Sequence, residues 1–242
     1  MLKKIIITSL LLSTLGMPAF AGKKLKKARA QITQLEQANS ELTAQNANLQ
    51  SSLSALNSEY QSYKEGCAET QNKLRQIESD LQEEYNTMQR VQLQLADALI
   101  DFKDKGVDVY SKDGMVYVSM QDKLLYKSGS SSLGTEGKDA LGKVASALND
   151  YPKLKVIVLG HTDDVQFKKG SDNWSLSTER ANGVVRLLRD SYHVDPTRLT
   201  AAGKSKYAPV ADNSTAEGKA KNRRTEIILN PNLERLWENA QK

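Results

Sequence analysis

The 242 residues are 39% hydrophobic and 26% charged, a balance that suits one or two domains and excludes wholesale disorder. Thirty-four Lys and Arg against 29 Asp and Glu give +5, and aromatic residues reach only 6%, so neither charge nor stacking surface points to a nucleic-acid partner. One cysteine and two histidines exclude an intrachain disulfide and a metal site of ordinary soft-ligand count; carboxylates could hold a hard cation, but no cofactor or metal is expected.

The chain opens as an export signal. Lys3 and Lys4 precede an apolar run from Ile5 to Leu15, Pro18 breaks the run, and Ala19-Phe20-Ala21 fits a small-x-small cleavage site. The run is short for a bilayer span, which needs about 20 apolar residues. Residues 1–21 are therefore read as a signal peptide, with an uncleaved anchor as the alternative. Cleavage removes two lysines and leaves 32 basic against 29 acidic residues, a net +3. No cysteine follows the run to carry a lipid.

Residues 22–102 read as a coiled-coil stalk. One seven-residue register runs from Leu25 to Phe102. Its first seam position carries Leu25, Ile32, Asn39, Asn46, Leu53, Tyr60, Cys67, Leu74, Leu81, Met88, Leu95 and Phe102. Its second carries Ala28, Leu35, Leu42, Leu49, Leu56, Tyr63, Thr70, Ile77, Glu84, Val91 and Ala98. Proline is absent from the segment. A 3.5-residue repeat sustained this long specifies a left-handed supercoil, with a rod on the order of 115 Å. A helix packed on its own globular domain, the alternative, needs a broader apolar face. Asn39 and Asn46 at seam positions favour a parallel homodimer, with a trimer also allowed. Cys67 is read as a small seam hydrophobe; the sharper alternative is an interchain disulfide.

The composition changes after Phe102. Residues 103–114 serve as connector and hairpin start, with Gly106 as a helix stop. Val107–Ser111 and Met115–Met120 flank Lys112-Asp113-Gly114 and predict a hairpin. Leu141, Val144, Ala145 and Leu148 recur at helical spacing from about Thr135, and Pro152 ends that helix. Leu154–Leu159 predicts a buried strand, Ser175–Ser191 a second amphipathic helix, and Arg198–Ala202 and Thr225–Leu229 two more strands. Residues 107–230 thus form an α/β domain with helices on a mixed sheet. Residues 231–242 remain as a tail.

No catalytic constellation appears. Gly129-Ser130-Ser131-Ser132-Leu133 fails the nucleophile-elbow pattern at its last position. Neither Gly134–Asp139 nor Gly203-Lys204-Ser205 has phosphate-loop spacing. A non-catalytic protein is expected. Gly160-His161-Thr162-Asp163 follows a buried strand, where ligands of open α/β sheets gather. Arg180 falls early in the next helix, where a cation opposes the helix dipole and calls for a compensating anion. Asp163 and Arg180 can clamp a zwitterion, acid to ammonium and guanidinium to carboxylate. They can equally form an ion pair that only joins loop to helix.

Gly160-His161-Thr162-Asp163, then Asn173, Leu176-Ser177, Arg180-Ala181 and Asn222-Arg223-Arg224, resemble the OmpA-like C-terminal domain family, which includes peptidoglycan-associated lipoproteins and the flagellar stator protein MotB. The resemblance covers roughly residues 107–230 and implies a βαβαββ sandwich that binds the peptide stem of peptidoglycan without catalysis. It implies that Asp163 and Arg180 grip the zwitterionic end of diaminopimelate, that Asn173, Leu176 and Ser177 line or brace the pocket, and that one of Arg223 and Arg224 supports it. Tyr126 stands where the family often has phenylalanine, and the loop Val165–Asp172, with Lys168 and Lys169, is longer than usual. The resemblance implies a periplasmic, peptidoglycan-associated protein at or near the outer membrane. The runner-up is a stator-like ion-channel subunit, which needs a membrane helix bearing an ionisable acid; residues 1–21 contain none. A porin needs many alternating strands before the globular domain, where the helical repeat stands instead.

Overall fold

The computed structural model describes residues 19–126, 132–166, 172–231 and 233. Residues 1–18 of the expected signal, the Lys127-Ser128-Gly129-Ser130 loop, Lys168 and Lys169, and most of the tail lie outside the described residues. The chain divides into two units, residues 1–70 and 71–242.

In the first unit, the described residues form one uninterrupted helix, the start of α1 (Ala19–Ala98). Every side chain from Gly22 to Thr70 is exposed, the seam leucines among them at 57–69%.

The second unit begins within α1 and is built on a five-stranded mixed sheet. Its elements are β1 (Val107–Lys112), β2 (Met115–Gln121), α2 (Asp122–Leu125), α3 (Thr135–Asp150), β3 (Lys155–Gly160), α4 (Asn173–Asp190), β4 (Leu199–Gly203), α5 (Ala216–Asn222) and β5 (Arg224–Asn230). The strand order is β1-β2-β5-β3-β4, antiparallel except where β3 meets β4. From β2 onward the strands and main helices follow the βαβαββ order, with β1 added as an edge strand. The hairpin turn places Asp113 at φ 53° and Gly114 at φ 75°, the paired left-handed conformations that let two strands reverse with matching twist.

Period-2 alternation decides which sheet face is covered. Val116, Val118, Met120, Val156, Val158, Ile227 and Leu229 point to one face and are buried. There they meet Leu141, Val144 and Leu148 of α3 and Ala181, Val184 and Leu188 of α4 in one core. Buried Arg198 donates Nη2 to the Leu148 carbonyl at 2.9 Å, closing the end of α3. Asp108, Tyr110, Tyr117, Ser119, Arg224, Glu226 and Ile228 point to the other face, where Tyr110 and Tyr117 stack with ring centroids 5.1 Å apart.

The same core corrects the extent of the stalk. Met88, Val91, Leu95 and Leu99 are buried at 0–5% exposure within this unit. Gln94 donates to Asp150 at 2.7 Å and Ser111 to Gln92 at 2.6 Å, fixing the last turns of α1 beside α3 and β1. The buried spacing 88-91-95-99 has left the heptad, since Leu99 replaces Ala98, and follows the 3.6-residue period of a helix packed on a domain. Phe102 lies in the 3₁₀ turn Ile100–Lys105, partly buried against the core. A seam running to Phe102 is thus not what the last turns make; their own domain occupies it from Met88 onward.

Candidate functional site

The site is assembled where β3 ends, α4 begins and β5 enters the sheet. Gly160 closes β3 against α4: a Cβ there would collide with the Ser177 carbonyl oxygen, so only glycine lets helix and strand approach this closely. The chain then runs His161-Thr162-Asp163, tied by the His161 N–H to the Arg224 carbonyl and the Thr162 N–H to the Ser205 carbonyl, both at 2.9 Å. Asp172 caps α4 by accepting the Ser175 N–H at 2.7 Å. Asn173 donates its side-chain amide to the carbonyls of Asp163 (3.3 Å) and Val165 (3.0 Å), fixing the loop to the helix start. Ser177 is fully buried; its hydroxyl donates to the Trp174 carbonyl and accepts the Ser205 N–H, at 3.0 and 3.1 Å. Leu176 is half-buried beside it. These residues brace the site, and their chemistry does not require a ligand.

The charges form two pairs. Asp163 Oδ2 meets Arg223 Nη1 at 2.5 Å, and Asp163 Oδ1 accepts the Val165 N–H at 3.2 Å. Arg180 Nη1 meets Asp122 Oδ2 at 2.5 Å. Arg180 and Asp122 are 8% and 9% exposed, while the Arg223 side chain is 39% exposed. The expected opposition of Asp163 and Arg180 is therefore corrected in its partners: each already holds another charge. The four still act as one electrostatic neighbourhood. Burial raises the Asp122 carboxyl to about 6 against the opposing pull of Arg180 and then Arg223, and Asp163 raises it further. Arg180 also lies over the Tyr126 ring, 5.1 Å from its centroid, and the Tyr126 hydroxyl donates to the Arg180 carbonyl at 3.1 Å. Burial holds the Tyr126 phenol well above its usual range.

Arg224 stands apart from this cluster. One residue along β5 reverses the side chain, so Arg223 joins Asp163 while Arg224 turns to the open sheet face. There its Nε donates to Glu226 at 2.8 Å and its Nη1 and Nη2 reach the Ala208 carbonyl at 3.3 Å. Glu226 also meets His161 Nε2 at 3.2 Å. Burial opposes the Glu226 charge, but the His161 hydrogen bond and Arg224 outweigh it and hold the carboxyl down at about 2. A groove of about 600 Å³ on this face is lined by Tyr110, Ser119, Gln121, Arg224 and Glu226, among others. Asn222, fully buried, accepts the N–H groups of Val210 and Ala211 at 2.7 and 3.0 Å and so ties down the loop before α5. Trp174 is 46% exposed, and its ring lies beside Tyr207 with centroids 5.7 Å apart and planes tilted by 30°.

Asp122 is the residue that sequence reasoning missed. An acid directly after a predicted strand is a common turn residue, and its role depends on Arg180, 58 positions on. The one available signal is the demand of an early-helix cation for a compensating anion, which Asp163 or an anionic ligand could equally meet.

The OmpA family model matches residues 125–223, from the end of α2 to the start of β5. Residues 125–223 form an OmpA-family domain. The relatives agree with this. The probable lipoprotein YiaD of Escherichia coli is 39% identical over 127 residues, 52% of this chain and 56% of that protein. Motility protein B of Bacillus subtilis is 33% identical over 116 residues, 47% of this chain and 44% of that protein. The chain thus spans about half the length of these curated relatives. Among solved structures, the cell wall anchor of the T6SS from Pseudomonas aeruginosa is 36% identical with a TM-score of 0.51, and the match covers 57% of this chain and 96% of that one. A MotB-like protein from Desulfovibrio vulgaris, at 22% identity and a TM-score of 0.57, shares the fold. The mixed sheet with its covering helices is the OmpA-like fold, and the charge cluster lies at the end of β3 in this domain.

Proposed function

We propose that the protein is a non-catalytic cell-wall tether. Its OmpA-family domain holds the peptide stem of peptidoglycan, and its long N-terminal helix joins copies of the chain. The observation that carries this is the convergence of Asp163, Arg223, Arg180 and Asp122 beyond the carboxyl end of β3. Two acids and two arginines can receive a zwitterion such as diaminopimelate, ammonium to an acid and carboxylate to a guanidinium. Asn173 and Ser177 fix the loop and helix that present these groups. Likeness to a cell wall anchor and to a probable lipoprotein supports this reading.

The helix supplies the second half of the tether. Its exposed stripe from Leu25 to Leu81 is too apolar to stay solvated along its whole length, and a parallel dimer or trimer covers it. Export by residues 1–21 places the assembly in the periplasm, at or near the outer membrane. Likeness to Motility protein B keeps a stator-like role as the second reading. That role needs a membrane helix bearing an ionisable acid, and residues 1–21 contain no Asp or Glu.

Purified sacculi test the tether. The wild-type protein should sediment with them and Asp163→Ala should stay in the supernatant while keeping the wild-type circular dichroism spectrum. Equal sedimentation of both would overturn the site. Sedimentation equilibrium of the protein without residues 1–21 should give a dimer or trimer; a monomer at all concentrations would remove the oligomeric stalk.

A further inference from the structure

Asp122 and Arg180 are poorly matched for a buried ion pair. Both are nine-tenths buried, and their shortest contact runs from Arg180 Nη1 to Asp122 Oδ2 at 2.5 Å. Among the described residues, Arg180 Nε and both Asp122 carboxylate oxygens complete no well-aligned hydrogen bond. A two-pronged fit is the strong arrangement between these groups, and polar atoms this deeply buried are ordinarily satisfied. The Nε of Arg180 is therefore unused. Asp122 itself is held in place from behind: its N–H donates to the Arg223 carbonyl at 3.0 Å, where β5 begins. The position of Arg180 is likewise set by Tyr126, through ring and hydroxyl. A guanidinium oriented by its surroundings but incompletely engaged is suited to exchanging one carboxylate for another.

We propose that Asp122 is an internal stand-in for the ligand's carboxylate: it neutralises Arg180 in the empty site and gives way when a carboxylate from the wall peptide takes the guanidinium. This rests on the peptidoglycan-binding reading and adds to it the residue that sets affinity. The ligand then competes with a tethered acid for Arg180. Once displaced, Asp122 is a buried carboxylate without its counter-charge, and it takes up a proton. Ligand binding is therefore coupled to proton uptake, and acid strengthens it.

The groups facing Asp122 leave few other sources for such a coupling. They are Arg180 from α4, Arg223 at the start of β5, Asp163 after β3, and Tyr126 beside it on the chain. The Tyr126 phenol is pushed far above neutrality. His161 lies on the other face of the sheet with Glu226. The ligand's carboxyl groups, ordinarily at about 4 or lower, keep their charge between pH 5.5 and 7.5, and its N-terminal ammonium, ordinarily at about 8, loses part of its charge only near pH 7.5, equally for wild type and Asp122→Asn. Asp122, raised to about 6 while it faces Arg180, titrates within the window.

The test is calorimetric titration of the protein with the stem tripeptide L-Ala–D-Glu–meso-diaminopimelate at pH 5.5, 6.5 and 7.5. Wild-type affinity should rise roughly tenfold from pH 7.5 to pH 5.5, with net proton uptake measured by repeating the titration in buffers of different ionisation enthalpy. Asp122→Asn should bind at pH 7.5 as tightly as the wild type at pH 5.5, with no pH slope and no proton uptake. Asp122→Ser, smaller and neutral, provides a second variant should the asparagine fail to fold. A neutral variant that folds and binds more weakly than the wild type, or keeps its pH slope, overturns the stand-in role and leaves the wall-binding reading in place. A folded wild type with no affinity for the tripeptide at any of the three pH values overturns both.

Discussion

Two buried arginines on opposite sides of the sheet show what separates a structural charge from one available to a ligand. Arg224, on the open face, uses all three of its guanidinium nitrogens on Glu226, Asn222 and Ala208. Glu226 in turn is shared with His161. Arg180, on the helix-covered side, has Nη1 2.5 Å from Asp122 in a poorly aligned contact and leaves Nε without a hydrogen bond among the described residues. Both are less than a tenth exposed, so burial does not distinguish them. Satisfaction does. A saturated guanidinium fixes the chain around it, whereas a partly engaged one retains capacity for another acid.

The comparison is most severely strained by removing each arginine's anchor. Arg224→Ala should leave buried Glu226 with His161 and the long Tyr110 contact and release the Ala208 loop, costing about 3–5 kcal/mol in denaturant unfolding. Wall binding by the fraction that remains folded should be unchanged. If that variant unfolds like the wild type, the open-face cluster is not structural. Leu95→Ala, in the last turns of α1, should cost about 2–5 kcal/mol by opening a cavity in the domain core. Leu53→Ala, in the exposed part of the same helix, should leave domain unfolding untouched and act only on self-association.

Acid should separate the two clusters by sign. The Glu226 carboxyl is lowered in the folded protein to about 2, so its contribution to stability is present above the ordinary glutamate pKa and is lost as pH falls from about 4.5 towards 2. Asp122 is raised to about 6, so the folded protein binds its proton more readily than the unfolded chain. Its effect runs the other way: stability is lost as pH rises from about 4 through 6. Melting curves of Glu226→Gln and Asp122→Asn across pH 2–7 should each erase one limb. The smallest effect is expected from Tyr126→Phe. It removes the hydroxyl that donates to the Arg180 carbonyl and bonds Thr225, for about 1 kcal/mol in thermal stability and a modest loss of affinity.

Much of the domain was legible because its periods are clean. The hairpin, α3, β3, α4 and β5 each carry an apolar alternation or a helical stripe with a turn residue at its end. Seven-residue α5, Ala-Glu-Gly-Lys-Ala-Lys-Asn, has no apolar stripe and was not anticipated. The end of the stalk was misread because heptad and helical periods agree over three turns. Only Leu99, one step off the seam, distinguishes them. Asp163 and Arg180 stand out in the sequence because one follows a buried strand and the other opposes a helix dipole, whereas Asn173, Leu176 and Ser177 enter only through the family resemblance. Which of Arg223 and Arg224 faces the cluster depends on the register with which β5 enters the sheet, and the local sequence does not encode that. Asp122 depends on a contact across 58 positions and carries no local signature at all.

The central claim is that the wall peptide binds at the incompletely paired cluster and not at the saturated one. Nuclear magnetic resonance of the arginine Nε–H and backbone amide signals during titration with the stem tripeptide addresses it directly. The account predicts that Arg180, Arg223 and the 161–165 loop shift together with added peptide while Arg224 Nε stays fixed. Shifts centred on Arg224 and its open-face groove, with Arg180 unmoved, would contradict it.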